Sequence, residues 1–326
     1  SPTDAPVVGS TGTITVATTS IGKPVRVSFG STIENAVIAL TGMAATTDEP
    51  YTLRVLSRDA TGFTFVVDEW EYQDNIRSAA VTVNWMAMSA GVYTLADGRV
   101  IEAGTMLASS TSGSVRFSTN FVDAPIVVTS VMSAIDPTAV DSSPIRVTTT
   151  GFEARLQAEE ARSGFERAQE LVGYIAFGRG DNVELLTSGS HFGMSVAFDT
   201  PLGKPVVVAD TQTMRDTDPQ STMIWTVSSK SVNVFISEEQ SLDADRKRSP
   251  LDTIGIAAVD AGGLTGTRTG DSTTVTAEAL AQATAAGAAL VAQQNAQLGA
   301  AGKVTVAASK VGQSIRVNYG STIENA

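Results

Sequence analysis

Thr61-Gly62-Phe63-Thr64-Phe65-Val66-Val67 and Thr150-Gly151-Phe152-Glu153-Ala154-Arg155-Leu156 are one segment written twice, at an offset of 89 residues. Lys230-Ser231-Val232-Asn233-Val234-Phe235-Ile236 is a looser third copy. A turn glycine followed by apolar residues at every second position is the mark of a strand with one face buried. Three in-register copies mean that the fold is assembled from repeats, and repeats govern every later inference.

Each copy sits in a longer module. Upstream, Val27/Phe29, Val115/Phe117 and Val196/Phe198 alternate with polar residues. Pro125-Ile126-Val127-Val128 and Pro205-Val206-Val207-Val208 are continuous β-branched runs with proline leading, suited to central strands. Downstream, Trp85-Met86-Ala87, Tyr174-Ile175-Ala176 and Ile256-Ala257-Ala258 fall on one another. About six strands in roughly 75 residues predict a small antiparallel β-sandwich. The expected fold class is all-β: tandem six-stranded antiparallel sandwich modules with one Ala-rich helical segment near the C-terminus. The expected divisions are a linker at 1–12, modules at 13–104, 105–181 and 182–263, a linker with the helix at 264–302, and the start of a next copy at 303–326. Residues 303–326 match 13–36 at 13 of 24 positions and both end in GSTIENA. The simplest expectation is a longer array whose next residues complete that copy; strand donation to a neighbouring subunit is the alternative.

Composition narrows the class. The 326 residues are 42% hydrophobic and 17% charged, enough apolar content for cores. A net charge of −12 without basic runs argues against nucleic acid and anionic membrane surfaces as partners. No apolar stretch reaches the roughly 20 residues of a membrane span, so membrane insertion is not expected. SPTDAPVVGSTG at the start carries no leader pattern. With no cysteine, thiolate chemistry and disulfides are excluded. His191 is the only histidine and lies in the Ser/Gly-rich stretch Leu186–Gly193, expected to be a linker. The carboxylate neighbours Asp68-Glu69, Glu159-Glu160 and Glu238-Glu239 recur at matching places, which points to fold geometry rather than to acid/base chemistry. The chain is therefore expected to be non-enzymatic.

The progression P-x-V-V-V, I/L-R-V, T-G-F-x-x-x-L, acidic or aromatic loop, V-x-Y/W-I/M-A resembles the H-type lectin fold, the six-stranded sandwich of snail agglutinins. That fold recurs in large bacterial secreted and surface proteins, and Gly91–Thr105 is similar to connectors between such modules. The resemblance implies sugar binding, typically of N-acetylgalactosamine, at one end of the sandwich and often at a trimer interface. The positions it marks are Trp70, Asp74 and Arg77 in the first module, Glu159, Arg162 and Glu166 in the second, and Glu239, Asp243 and Arg246 in the third. Arg54 and Arg146 fall where the family places an arginine; Ile224 or Trp225 stands there in the third module.

Two further expectations concern ions and assembly. Asp216-Thr217-Asp218, Asp243-Ala244-Asp245 and the Asp136/Asp141 loop offer oxygen ligands for calcium at loop spacings. Thr273–Ala301 breaks the β pattern; Ser272 or Thr276 can cap a helix, and Leu280, Ala283, Gly287 and Leu290-Val291 share one face. That face is expected to pack on a neighbouring module or chain. The functional expectation is a structural or adhesive segment of an extracellular or cell-surface fibre or matrix filament, made semi-rigid by short linkers. Its partners would be neighbouring copies of itself and cell-surface or matrix glycans. A multivalent lectin and a viral or phage fibre subunit are the alternatives.

Overall fold

The glycine of each T-G-F segment answers to a close approach of backbones. A Cβ on Gly62 would lie 2.0 Å from the Val27 carbonyl oxygen, and one on Gly151 would lie 2.3 Å from that of Val115. Only glycine lets the incoming strand pair so tightly at that corner. The computed structural model describes residues 6–44, 50–73, 79–162, 167–189, 191–242 and 251–298, with the side chains of residues 162, 187–189 and 294–298 outside that description. Its first strands are β1 (Val7–Val16), β2 (Val25–Ser28), β3 (Ala36–Met43), β4 (Tyr51–Asp59), β5 (Gly62–Glu69) and β6 (Val81–Ser89). A hairpin of β7 (Gly91–Leu95) and β8 (Val100–Ala108) leads into β9 (Gly113–Arg116), β10 (Ile126–Val131), β11 (Asp141–Ile145), β12 (Gly151–Gln157) and β13 (Glu170–Phe177). Then come β14 (Val183–Gly189), β15 (Met194–Ala197), β16 (Pro205–Thr211), β17 (Gln220–Val227), β18 (Ser231–Glu238), β19 (Asp252–Asp260) and β20 (Gly262–Gly270). The helix α1 (Ala277–Leu298) follows.

One ladder pattern occurs three times. The T-G-F strand is central in β2-β5-β4, β9-β12-β11 and β15-β18-β17. The other ladders are β1-β6-β3, β8-β13-β10 and β14-β19-β16. Equivalent aromatic residues meet between the ladders. Phe63 lies 5.9 Å from both Phe29 and Trp85, and Phe152 lies 5.7 Å from Phe117 and 5.2 Å from Tyr174, by ring centroids. In the third set, Val232 and Ile256 of one aliphatic cluster stand at the positions of Phe63 and Trp85.

The three sets share buried residues in one core, a contact that short linkers by themselves do not provide. Strands β3, β10 and β16 are buried along almost their whole length, and residues of all three belong to one hydrophobic cluster. A strand covered on both faces needs an unbroken apolar run, which Val37-Ile38-Ala39-Leu40 and the two proline-led runs supply. Each fully buried Val or Ile there contributes about 1.5–3 kcal/mol. Parallel bridges join β4 to β10 at Arg54↔Val131 and β3 to β17 at Met43↔Ile224.

Three expected linkers contain strand. Residues 7–12, placed in the opening linker, belong to β1, which pairs with β6 from Gly9↔Met88 to Val16↔Val81. Their Gly, Ser and Thr content reads as loop, yet the glycines serve close packing: a Cβ on Gly12 would sit 2.7 Å from the Trp85 ring. Residues 264–270, placed in the closing linker, belong to β20, which runs between β1 and β7. Leu186–Gly189 lies in β14, with Leu186 opposite Ile254 and Gly189 opposite Asp252.

The expected helix forms. Thr276 Oγ1 accepts the Ala279 amide at 3.1 Å, capping the helix, whereas Ser272 donates to the Ala103 carbonyl. Ala283 and Gly287 are buried, and a Cβ on Gly287 would come within 2.2 Å of Ile135 and 2.9 Å of Ala168. The helix thus packs on the second set of strands in its own chain. Among the described residues, no helix is long and apolar enough to cross a membrane.

Candidate functional site

The loops that follow the T-G-F strands converge at one end, and most of the described residues marked by the lectin resemblance lie there, inside. Trp70 and Glu239 are fully buried, and Arg54 and Glu159 nearly so, at 2% and 4% exposure. Polar atoms of Glu159, Glu239 and Tyr72 join one set of strands to the next. Glu159 Oε1 accepts the Tyr72 amide at 2.8 Å, Glu239 Oε2 accepts the Glu160 amide at 2.8 Å, and the Tyr72 hydroxyl accepts the Gln240 amide at 3.2 Å. These contacts run from the first set to the second, the second to the third, and the third back to the first, closing a ring. Glu71 adds a link by accepting the Ala139 amide at 2.6 Å.

Burial pushes the Glu159 carboxyl up to about 7, and the nearby carboxylates of Glu71 and Glu239 push the same way, against the Tyr72 amide.

Arg54 crosses from β4 into the second set. Its Nη1 donates to the Asp136 carbonyl at 2.7 Å, its Nη2 donates to the Thr138 carbonyl, and its Nε lies 3.6 Å from Asp68. Arg167 reaches the same turn, donating to Thr138 Oγ1 at 2.6 Å, with Asp136 3.8 Å away. Ladder register corrects the sequence alignment here. Arg54 lies opposite Val66, and the matching residues of the other sets are Ser143, opposite Arg155, and Met223, opposite Phe235. Arg146 is instead an exposed turn residue with φ of 53°, paired with Glu153 at 2.8 Å, and Ile224 and Trp225 are shifted likewise. Asp74, Arg77, Glu166, Asp243 and Arg246 lie outside the described residues, as does the side chain of Arg162.

A second polar seam runs between the central strands. Thr41 Oγ1 donates to the Ala209 carbonyl and accepts the Ala209 amide, and Ser130 Oγ accepts the Leu40 amide at 3.0 Å. Gln212 exchanges two hydrogen bonds with the Val127 backbone at 2.9 and 2.7 Å. Asp210 accepts the Thr129 amide and hydroxyl at 2.9 and 2.8 Å. Burial raises the Asp210 carboxyl, and Asp141 raises it further; burial also lifts Asp141 to about 6, against the Ser221 hydroxyl and Ser142 amide beside it. A cavity of about 30 Å³, lined in part by Thr41, Thr52, Ser130, Asp141 and Ser221, lies among these groups. Its size and polarity suit one ordered water.

Of the described calcium candidates, Asp136, Asp216 and Asp218 lie in turns, and Asp141 opens β11. Asp216 is buried and accepts the Asp218 amide at 3.4 Å, while Asp136 accepts both the amide and the hydroxyl of Thr138. Asp243 and Asp245 are outside the described residues. Among the described residues, no group of three or more acidic or His side chains is placed to hold a metal ion. His191 rests on the Phe192 ring at 3.8 Å between centroids.

Glu71, Tyr72, Thr138 and Arg167 were not singled out from sequence. A signal for the inner seam was present, since Leu40-Thr41, Val128-Thr129-Ser130 and Ala209-Asp210-Thr211 each end an apolar run on hydrogen-bonding side chains. No family model, curated protein or solved structure matches the chain.

Proposed function

We propose that the chain is a non-enzymatic structural and adhesive segment of an extracellular fibre or matrix filament. In this reading each set of six strands is a lectin-like sandwich, and three of them close around one axis as a trimer within a single chain. The observation that carries it is the ring of hydrogen bonds from Glu159, Glu239 and Tyr72. Side chains at the end where the resemblance expects a sugar are used to lock one set to the next. Such consumption of polar groups makes a rigid brick, and repetition of bricks converts weak contacts into avidity. The recurrence of residues 13–36 at 303–326 supports a serial arrangement of such bricks.

Immunogold electron microscopy of producing cells, with antibody raised against this chain, is the test. Label spaced at regular intervals along filaments outside the cell is the expected result. Label confined to the cell interior would overturn the proposal.

A further inference from the structure

The cleft between α1 and the end of β4 is lined by a cation, Arg58, that has no partner among the described residues. It has a volume of about 700 Å³, within the range of small-molecule sites. Strand β4 carries a bulge between Val55 and Ser57, leaving Leu56 unpaired and 36% exposed at the cleft wall. Bulges re-aim side chains, and they are common beside binding sites. Just beyond the bulge is Arg58, which lines this cleft and an adjoining one of about 410 Å³.

Arg58 forms no hydrogen bond or ion pair among the described residues, and burial alone lowers its guanidinium from its usual range. The charges around it are otherwise engaged or distant. Its neighbour Asp59 is held at 2.7 Å by Arg26, and in the adjoining cleft Arg268 is held at 2.7 Å by Asp271. Glu34 is on the rim and makes no ion pair with Arg58. In a chain of net charge −12, a half-buried guanidinium without a counter-ion is a costly feature unless something anionic visits it.

The rest of the lining indicates what that anion is attached to. Asn35, in the left-handed region at φ of 49°, belongs to the GSTIENA loop and brings an amide to both clefts. Ser57 and Thr284 add hydroxyls, and Met132, Leu171 and Leu280 supply an apolar floor. On the helix side Ala288 leaves the mouth open. A planar guanidinium recognises a carboxylate through two parallel hydrogen bonds, and amide and hydroxyl neighbours suit a hydroxylated body lying on an apolar face.

We propose that this cleft binds a carboxylate-bearing sugar, with Arg58 holding the carboxylate and Asn35, Ser57 and Thr284 meeting its hydroxyls. The inference is independent of the filament reading, because it concerns a different end of the strands and is tested on the isolated chain.

Methyl β-D-glucuronide and methyl β-D-glucoside differ only in carboxylate against hydroxymethyl. Each is titrated into the 326-residue chain, with the methyl resonances of Leu56, Met132, Leu171 and Leu280 followed by NMR. The glucuronide is expected to give saturable shifts, with binding at least tenfold tighter than the glucoside. Arg58→Gln should abolish the difference, Ala288→Trp should weaken glucuronide binding by occluding the mouth while leaving the guanidinium in place, and Glu34→Gln should tighten it by removing a like charge. Unchanged methyl spectra outside the cleft establish that each variant is folded. No saturable shift, equal affinity for the two glycosides, or an unaltered affinity in folded Arg58→Gln would overturn the proposal. So would acetate binding as tightly as the glucuronide, which would mark a site for a bare anion.

Discussion

Glu159→Gln should stabilise this protein at pH 8 and leave it unchanged at pH 5. The Glu159 carboxyl is raised from 4.5 to about 7 in the fold. A carboxyl raised on folding contributes fully below its unfolded value, and the contribution is lost as pH rises through the folded value. The folded state therefore carries a growing penalty between about pH 4.5 and 7. Each unit of such a shift is worth about 1.4 kcal/mol, so the upper bound is about 3 kcal/mol. Water at the rim of the seam screens the charges and reduces the usable figure to about 1–2 kcal/mol. Glutamine keeps an oxygen to accept the Tyr72 amide at its 2.8 Å contact and removes the negative charge that the neighbouring Glu71 and Glu239 carboxylates oppose. Thermal melts followed by circular dichroism should show the variant about 2–5 °C above the parent at pH 8. The gap should close to within error at pH 5, where the parent carboxyl is already protonated. Asp141, lifted to about 6, and Asp210 tilt the parent and the variant in the same direction, so they cancel in the comparison. A variant no more stable at pH 8, or a gap that persists at pH 5, would refute the reasoning.

Trp70 is fully buried, so Trp70→Ala should cost about 3–5 kcal/mol in urea unfolding with no sugar present; a loss below 1 kcal/mol would remove it from the core. Arg54→Met should cost about 3 kcal/mol by leaving the Asp136 carbonyl without its guanidinium donor and the Thr138 carbonyl with Arg167 alone, and by removing the charge beside Asp68, and an unchanged urea midpoint would count against that role. Gly42→Ala should destabilise by about 1–3 kcal/mol, since the new Cβ would fall 2.1 Å from the hydroxyl of buried Tyr51; a melt at the parent temperature would contradict it. Gly287→Ala gains about 1 kcal/mol of helix propensity yet meets Ile135 and Ala168, so amide exchange in α1 should become faster, and slower exchange would reverse the argument.

Much of the local structure was legible because it rests on short-range rules. Period-2 alternation marked β2, β5, β9, β12, β15 and β18, and the proline-led runs marked β10 and β16. The Thr276 cap and the spacing of Leu280, Ala283 and Gly287 marked α1 and its packing face. Strands β1 and β20 were hidden because Gly, Ser and Thr composition reads as loop. Such residues become strand here only because neighbouring backbones come close enough to require small side chains. Of the residues marked as sugar contacts, Arg54, Trp70, Glu159 and Glu239 are buried, and burial is a property of what packs above them.

Taken alone, the sequence determined the all-β class, the threefold recurrence of the T-G-F strand and the position of the helix, all of which follow from the alternation and capping of adjacent residues. The tertiary structure alone decided that three sets of strands share a core, that Glu159 and Glu239 bridge sets, and that Arg58 makes no ion pair among the described residues. These depend on contacts between residues far apart in the chain, such as Glu160 with Glu239, 79 positions apart, and Thr41 with Ala209, 168 apart. No local pattern encodes which distant backbone will satisfy a given side chain; only the closing of the three sets around one another settles it.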